Sequence, residues 1–225
     1  MYKQEKIDDL LKEYDKRYLE VCDIESLNLG NIGSSLSLFE KDSIKNRKPI
    51  PKKLEVYCVV GGLPFDEIFI KNILELQKRI SLVLNGKLHY FVKPYNLAVE
   101  VIVIKWPKDE LSKSVLESSK DEIKKANPKK FILKSFGFQF HNDGAMILRC
   151  LDYPNYLRDL RKTLKNSVMG LPNQQSNWCH VPLGRILEPL ERNELKNLID
   201  LANFSQNSNN FSTQINQLHL IHEKR

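Results

Sequence analysis

The chain has 225 residues, 41% of them apolar and 28% charged, and its 35 basic residues exceed its 28 acidic ones to give a net charge of +7. These values are typical of one globular domain with an appendage, and no apolar run approaches the ~20 residues of a membrane span. The amino terminus is charged and lacks the apolar core of a signal peptide. We therefore expect a soluble, cytoplasmic protein, and the positive charge weakly favours phosphate-bearing partners.

The four cysteines are scattered and form neither a C-x-x-C motif nor a paired cluster with histidine. Zinc sites and disulfide frameworks have characteristic spacings that are missing here. We expect reduced thiols, no metal and no cofactor.

Apolar residues recur every three or four positions over residues 4–22, which predicts an amphipathic helix. This helix would pack either on the domain or on a protein partner. Residues 28–53 are rich in Gly, Ser, Asn and Lys and contain two prolines, which indicates turns and a linker. The chain is therefore divided into an amino-terminal helix and linker (1–53) and a compact domain (54–225).

The first half of that domain is predicted to form a strand followed by a helix, then two strands broken at Pro94, then a charged helix. Their predicted bounds are 54–60, 66–84, 87–93, 97–106 and 111–126. The second half begins with two strands joined by an Asp-Gly hairpin turn at 143–144. It continues as helix, strand, helix and strand, and the predicted bounds are 131–140, 145–151, 156–164, 179–187, 191–204 and 212–222. This order lacks the regular alternation of a doubly wound sheet and predicts an α+β fold of two similar lobes.

The most informative segment is 178–186 (WCHVPLGRI), in which a histidine enters a strand that ends at Gly-Arg. It resembles the second signature of the two-histidine phosphoesterases, His-x-Thr/Ser-Leu-Gly-Arg. This superfamily includes the RNA 2',3'-cyclic phosphodiesterases, also known as the 2'-5' RNA ligase group. His180, Leu183, Gly184 and Arg185 match the signature. Pro182 stands at the position of the hydroxyl residue.

The first signature of that family, His-x-Thr, lies upstream on another strand and follows a proline. Residues 91–102 (FVKPYNLAVEVI) fit this frame and place Ala98 at the histidine position and Glu100 at the hydroxyl position. Both chemical residues of the first motif are thus replaced. The resemblance covers about residues 54–222 and implies a bilobal fold, with two antiparallel-sheet lobes and flanking helices around a central groove.

Cleavage of a phosphodiester needs one group that accepts a proton and another that donates one, and two imidazoles suit this near neutral pH. The resemblance implies a catalytic role for His180 and a phosphate-binding role for Arg185. The alternatives are a strand-end histidine bonded to backbone and a salt bridge at the lobe interface. Glu100 is a candidate substitute base, although a carboxylate repels phosphate. Trp178 and Tyr95 flank the motif strands and are either base-stacking residues or packing residues.

The other four histidines, at positions 89, 141, 219 and 222, are interpreted as surface or hydrogen-bonded residues. Two functions remain open. One is a phosphodiesterase with weak or altered activity on RNA ends or cyclic nucleotides. The other is a catalytically silent relative that binds a nucleotide, RNA or, through the amino-terminal helix, a protein.

Overall fold

The computed structural model describes residues 4–126, 129–153, 156–176, 178–208 and 210–224. The helices are α1 (Gln4–Cys22), α2 (Leu29–Ser37), α3 (Lys41–Lys45), α4 (Glu67–Leu84), α5 (Lys113–Lys125), α6 (Tyr156–Ser167) and α7 (Arg192–Ser208). The strands are β1 (Glu55–Gly61), β2 (His89–Phe91), β3 (Val99–Lys105), β4 (Phe131–Phe140), β5 (Ala145–Tyr153), β6 (His180–Ile186), β7 (Ser212–Ile215) and β8 (Leu218–Lys224). Within these ranges, no helix combines the length and apolar character needed to cross a membrane.

The strands form two antiparallel sheets. One sheet has three strands in the order β3-β1-β8, and the other has five in the order β2-β6-β5-β4-β7. The two sheets with their flanking helices confirm the predicted α+β fold. The two motif strands lie in different sheets, because β3 is an edge strand of the first and β6 is an interior strand of the second.

The single strand predicted over 212–222 is wrong, because the chain forms two strands there. β7 pairs with β4 in the five-stranded sheet, and β8 pairs with β1 in the three-stranded sheet. The chain passes from one sheet to the other at residues 216–217. Asn216 and Gln217 interrupt the apolar alternation there, since Ile215 and Leu218 are three residues apart, but this short break does not reveal that the two halves join different sheets.

The predicted linker also contains regular structure, since α2 and α3 lie within 28–53. At the start of α2, Asn28 accepts a hydrogen bond from the Asn31 backbone, and the Asn31 side chain accepts one from the Asn28 backbone, each at 3.1 Å. This reciprocal cap starts a helix whose apolar residues, Leu29, Ile32 and Leu36, lie at helical spacing among glycines and serines, which are turn signals in the sequence. The prediction of turns and a linker there was wrong for this reason.

The amino-terminal segment packs against the five-stranded sheet. α1 contacts β4 and α2 contacts β6, while Tyr14, Val21, Leu27 and Ile32 are completely buried. Of the two expectations for the amino-terminal helix, the structure therefore shows packing on the domain. This arrangement places α1 beside β4, and α2 beside β6, the strand that carries His180.

Candidate functional site

His180 and Arg149 lie directly opposite each other on β6 and β5. Opposite residues of an antiparallel pair project from the same face of the sheet. Pro182 is opposite Ile147 and therefore lies on this face as well. We call this surface, formed by Arg149, His180, Trp178, His141 and Gln139, the Arg149 face.

Trp178 is the centre of an aromatic cluster on the Arg149 face. The centroid of its indole lies 4.8 Å from that of Tyr14, 5.2 Å from that of His141 and 6.1 Å from that of His180, all in edge-to-face geometry. Tyr14 belongs to α1, and its hydroxyl donates a hydrogen bond to the Cys179 carbonyl. Gln139 Nε2 donates to the Tyr14 carbonyl at 3.1 Å. α1 thus covers the indole and is anchored beside it.

Arg149 is a buried cation with an incomplete set of partners. Its side chain is 4% exposed, and its Nη2 lies 3.3 Å from Asp15 Oδ1. The guanidinium also lies over the rings of Phe136 and Tyr14, at 4.5 and 5.2 Å from their centroids. Its Nε and Nη1 find no hydrogen-bond partner among the described residues. Burial lowers the pKa of Arg149, and the neighbouring Asp15 opposes that shift.

The two histidines beside Trp178 also carry buried nitrogens, His180 Nδ1 and His141 Nε2, that have no partner within the described part of the chain. Burial lowers the pKa of His180 to about 3, and the charge of Arg161 adds to the shift. Burial lowers the pKa of His141 to about 4, against the opposing charge of Asp143. Both imidazoles are therefore neutral at pH 7 and offer a lone pair or an N–H according to tautomer.

Arg185 is held by the β4–β5 turn and by α2. Its Nη1 lies 3.1 Å from Asp143 Oδ2 and 3.2 Å from Ser35 Oγ. Asp143 Oδ1 in turn accepts a hydrogen bond from the Ala145 backbone at 2.9 Å. The Arg185 side chain remains 31% exposed. Arg185 therefore pairs with the β4–β5 turn of its own sheet and with α2 of the amino-terminal segment.

The local backbone structure explains the glycine of this motif, Gly184, and accommodates its proline, Pro182. A Cβ on Gly184 would lie 2.0 Å from the Tyr90 carbonyl oxygen, so the close pairing of β2 with β6 requires glycine there. Pro182 lies next to an irregularity in the β5–β6 register, between Met146 and Ile147. It also lies beyond the last β2 pair, which is at Gly184. The strand ladder is therefore locally broken at this proline.

Ala98 lies in a different environment from His180. It is 9% exposed and packs with Val56, Cys58, Val60 and Val103 in an apolar cluster on the three-stranded sheet. We call these five residues the Ala98 cluster. Glu100 follows on β3, is half-buried and pairs in register with Val60.

Arg161 of α6 joins the two motif strands. Its Nη2 donates to the Glu100 carbonyl at 2.5 Å and to the Trp178 carbonyl at 2.8 Å, and its Nε donates to the Val101 carbonyl at 2.7 Å. One guanidinium therefore fixes β3 beside the segment that enters β6. The structure brings the backbones of the two motifs together in this way, although Ala98 and His180 contact different side chains.

Tyr95, His89 and His222 are not part of the Arg149 face. Tyr95 is 64% exposed, and the ammonium of Lys93 lies 5.9 Å from its ring centroid. His89 Nδ1 is 2.7 Å from the Lys87 carbonyl, and His222 Nε2 is 2.7 Å from Glu55 Oε1. Across the described residues, no group of three or more His, Cys, Asp or Glu side chains is placed to hold a metal ion.

Sequence reasoning missed Arg149, Tyr14 and the position of His141. A lone arginine in the otherwise apolar strand of residues 145–151 was a usable signal, since buried charges are retained with a partner or a role. Tyr14 belongs to the apolar stripe of a predicted helix, and nothing local distinguishes it from a core residue.

The fold is similar to that of TT0787 from Thermus thermophilus, with a TM-score of 0.51 and 14% identity over 73% of this chain and 86% of that one. Apo LigT of E. coli gives a TM-score of 0.49 and 12% identity over 77% of this chain and 97% of that one. Usb1 of Kluyveromyces marxianus gives a TM-score of 0.47 and 13% identity over 77% of this chain and 99% of that one. No protein-family profile and no curated protein sequence matches the chain. The likeness is one of fold, and it confirms the predicted two-histidine-phosphoesterase-like fold.

Proposed function

We propose that this protein binds a phosphate-bearing ligand, a nucleotide or an RNA end, at the Arg149 face and turns it over slowly or not at all. One observation carries the proposal. The Arg149 guanidinium is 4% exposed, yet its Nε and Nη1 have no partner among the described residues, and it lies opposite a histidine whose Nδ1 is in the same condition.

A phosphate would satisfy these groups. A buried donor without an acceptor costs about 1–3 kcal/mol, more when it is charged, and two such donors lie on one guanidinium. The planar guanidinium binds two phosphate oxygens at once through parallel N–H groups, which on Arg149 pairs Nη2 with one of the two unpartnered nitrogens, Nε or Nη1. The Trp178 indole, centred between two histidines, supplies an aromatic face of the kind on which nucleobases stack. The net charge of +7 attracts polyanions over longer distances.

The proposal of slow or absent turnover rests on Ala98 and on the state of His180. By the resemblance, Ala98 stands where the first catalytic histidine would be, and it packs in the apolar Ala98 cluster. The loss of one general acid or base costs about 10²- to 10⁴-fold in rate. His180 has a pKa of about 3, so its imidazole is neutral at pH 7 and is not in the protonated form of a general acid. Glu100 remains a candidate substitute base.

A second candidate function, weak phosphodiester cleavage, is favoured by His141. The His141 and His180 rings both contact the Trp178 indole, and each has a nitrogen with no partner within the described ranges. A bound phosphate would raise the pKa of both histidines through its charge. A proton-transfer pair would then consist of His141 and His180 in place of the two motif histidines.

Calorimetry on the full chain tests the binding proposal with inorganic phosphate, AMP and 2',3'-cyclic AMP as probes. We expect AMP to bind, and Arg149→Met to weaken this binding by about tenfold or more because the bidentate donor is lost. Arg79→Met is the matched control, since Arg79 lies exposed on α4 with Glu75 as its partner, and it should bind as the parent does. If none of the probes binds, or if Arg149→Met binds AMP as well as the parent, the proposal is wrong.

Turnover of 2',3'-cyclic AMP separates the two candidate functions. We expect little or no hydrolysis by the parent protein. Hydrolysis that is lost in both His141→Asn and His180→Asn would establish the second candidate. Hydrolysis that survives His180→Asn would exclude any mechanism in which His180 transfers a proton.

A further inference from the structure

α1 places an aromatic ring and a neighbouring carboxylate against the Arg149 face. Tyr14 is completely buried, and its ring contacts Trp178 at 4.8 Å and Phe136 at 5.5 Å between centroids. The next residue, Asp15, puts its Oδ1 3.3 Å from Arg149 Nη2. The Arg149 guanidinium therefore contacts both groups: it pairs with the Asp15 carboxylate and lies over the face of the Tyr14 ring.

We propose that Tyr14 and Asp15 are a built-in ligand of the Arg149 face, and that a nucleoside monophosphate competes with α1 for it. The ring occupies the place of a base and the carboxylate the place of a phosphate. This inference rests on the proposed function and adds two points to it. The ligand combines an aromatic group with an adjacent anion, and the amino-terminal helix regulates access to the site.

The Tyr14–Asp15 pair and a nucleoside monophosphate offer the Arg149 face the same two kinds of group, an aromatic ring and an anion. An indole accepts the edge of a tyrosine ring or the face of a nucleobase, since both contacts use the π-surface. A guanidinium pairs with a carboxylate or a phosphate in the same geometry, and the phosphate offers more acceptor oxygens. Asp15 uses only Nη2 of Arg149, so a phosphate in its place that engages Nη2 together with either Nε or Nη1 would make the more complete interaction.

Over residues 11–22, α1 is attached by a narrow stripe. Between residues 11 and 22, the buried residues are Tyr14, Tyr18 and Val21, which follow one another at helical spacing. Tyr18 contributes hydrogen bonds to the Ile199 carbonyl at 3.2 Å and to Asn203 Oδ1 at 2.9 Å. Segments with few buried contacts open at a lower free energy than the core of a domain.

The residues of the Arg149 face that belong to the sheet stay in place when α1 is displaced. Trp178 is fixed through its carbonyl by Arg161, and Arg149 and His180 belong to interior strands of the five-stranded sheet. Opening therefore exposes a formed site. The apparent dissociation constant of a nucleotide equals that of the open site divided by the fraction of molecules in which α1 is displaced.

The test compares AMP binding by the full chain and by three variants. Asp15→Asn removes the competing charge and should lower the dissociation constant of AMP by several-fold, and Tyr14→Ala should lower it further because the helix loses its central anchor. Glu13→Gln is the control, since Glu13 is an exposed carboxylate on the same helix, and it should leave the affinity unchanged. Amide hydrogen exchange of residues 11–22 should accelerate when AMP binds.

The outcomes separate this inference from the proposed function. If the parent and Glu13→Gln bind AMP while Asp15→Asn and Tyr14→Ala bind it no better, the built-in ligand is refuted and the proposed function stands. If AMP binds and α1 exchange does not accelerate, the competition is refuted in the same way. If none of the four proteins binds AMP, both proposals fail. Asp15 is 59% exposed, so Asp15→Asn keeps the test decisive even where Tyr14→Ala fails to fold.

Discussion

Arg149 and His180 face each other across the antiparallel pair of β5 and β6, and the charged side chain and the imidazole share one face of the sheet. Their chain neighbours Leu148 and Val181, which also pair with each other, are completely buried on the opposite face. A slip of one residue would exchange the two sets and bury the charge in the core. The strand register therefore places the candidate site, and the apolar core fixes that register.

The pKa of His180 predicts how stability depends on pH. A histidine with an ordinary pKa of about 6.5 in the unfolded chain and about 3 in the folded protein is protonated first in the unfolded state. The free energy of unfolding should thus fall as the pH drops from 6.5 towards 4, by up to about 3 kcal/mol from this residue. Urea unfolding at several pH values measures the slope. His180→Gln should reduce the slope, of which His141 supplies a further part because burial also lowers its pKa. An unchanged slope would show that His180 is solvated.

Arg161→Met should destabilise the protein. Arg161 is 5% exposed and donates to the Val101, Glu100 and Trp178 carbonyls. The variant leaves these carbonyls without that donor, at a cost of about 2–4 kcal/mol. Urea unfolding gives the difference. Arg158→Met, at an exposed position on the same helix, is the control, and equal stabilities of the two variants would contradict the role of Arg161 as the link between the motif strands.

Gly184→Ala should cost about 2 kcal/mol or more, because a Cβ 2.0 Å from the Tyr90 carbonyl oxygen forces β2 away from β6. Gly33→Ala is the opposite case. It lies within α2 with no atom within 4 Å of the added Cβ, and it should be neutral or stabilising by up to about 1 kcal/mol. Thermal unfolding of both variants checks the pair. A Gly184→Ala variant as stable as the parent would contradict the close β2–β6 approach.

The sequence predicted most elements and missed those that depend on distant contacts. The apolar patterns located α4, β4 and β5 within a few residues of their observed bounds. The division between β7 and β8 depends on which sheet each half joins, and that is not a local property of the chain. α2 begins at a reciprocal asparagine cap in a segment whose glycines and serines are turn signals in the sequence.

In the candidate site, too, the residues of a local motif were predicted, and those brought together by distant contacts were not. His180, Gly184 and Arg185 were found through a local motif. The Arg149 face depends on a strand register, on an aromatic cluster and on a helix whose Tyr14 lies 165 residues from the carbonyl that it binds. No local pattern joins these elements, so the sequence could not predict their contact.

Restoring the first motif should create activity. Ala98→His with Glu100→Thr supplies a second imidazole and removes a carboxylate, so hydrolysis of 2',3'-cyclic AMP should rise above that of the parent. The larger, polar side chain replaces an alanine of the Ala98 cluster and should lower stability by about 1–3 kcal/mol, and activity requires its ring to leave this cluster and face His180. Product formation is compared with that of the same variant carrying His180→Asn, which should be inactive.

Pro182→Thr adds the missing hydroxyl and should raise the activity further. If this triple variant folds normally and shows neither cyclic-nucleotide binding nor turnover above the parent, the first-motif assignment of Ala98 and Glu100 is wrong. A gain that persists with His180→Asn would also contradict the assignment, since His180 would then take no part in the reaction.

The most direct test of phosphate binding at the Arg149 face is an NMR titration of the histidine ring nitrogens with AMP at pH 7. The account predicts saturable shifts of the His180 and His141 signals and no shift of His89, whose Nδ1 is 2.7 Å from the Lys87 carbonyl. Shifts confined to His89, His219 or His222, or no shift at saturating AMP, would contradict it.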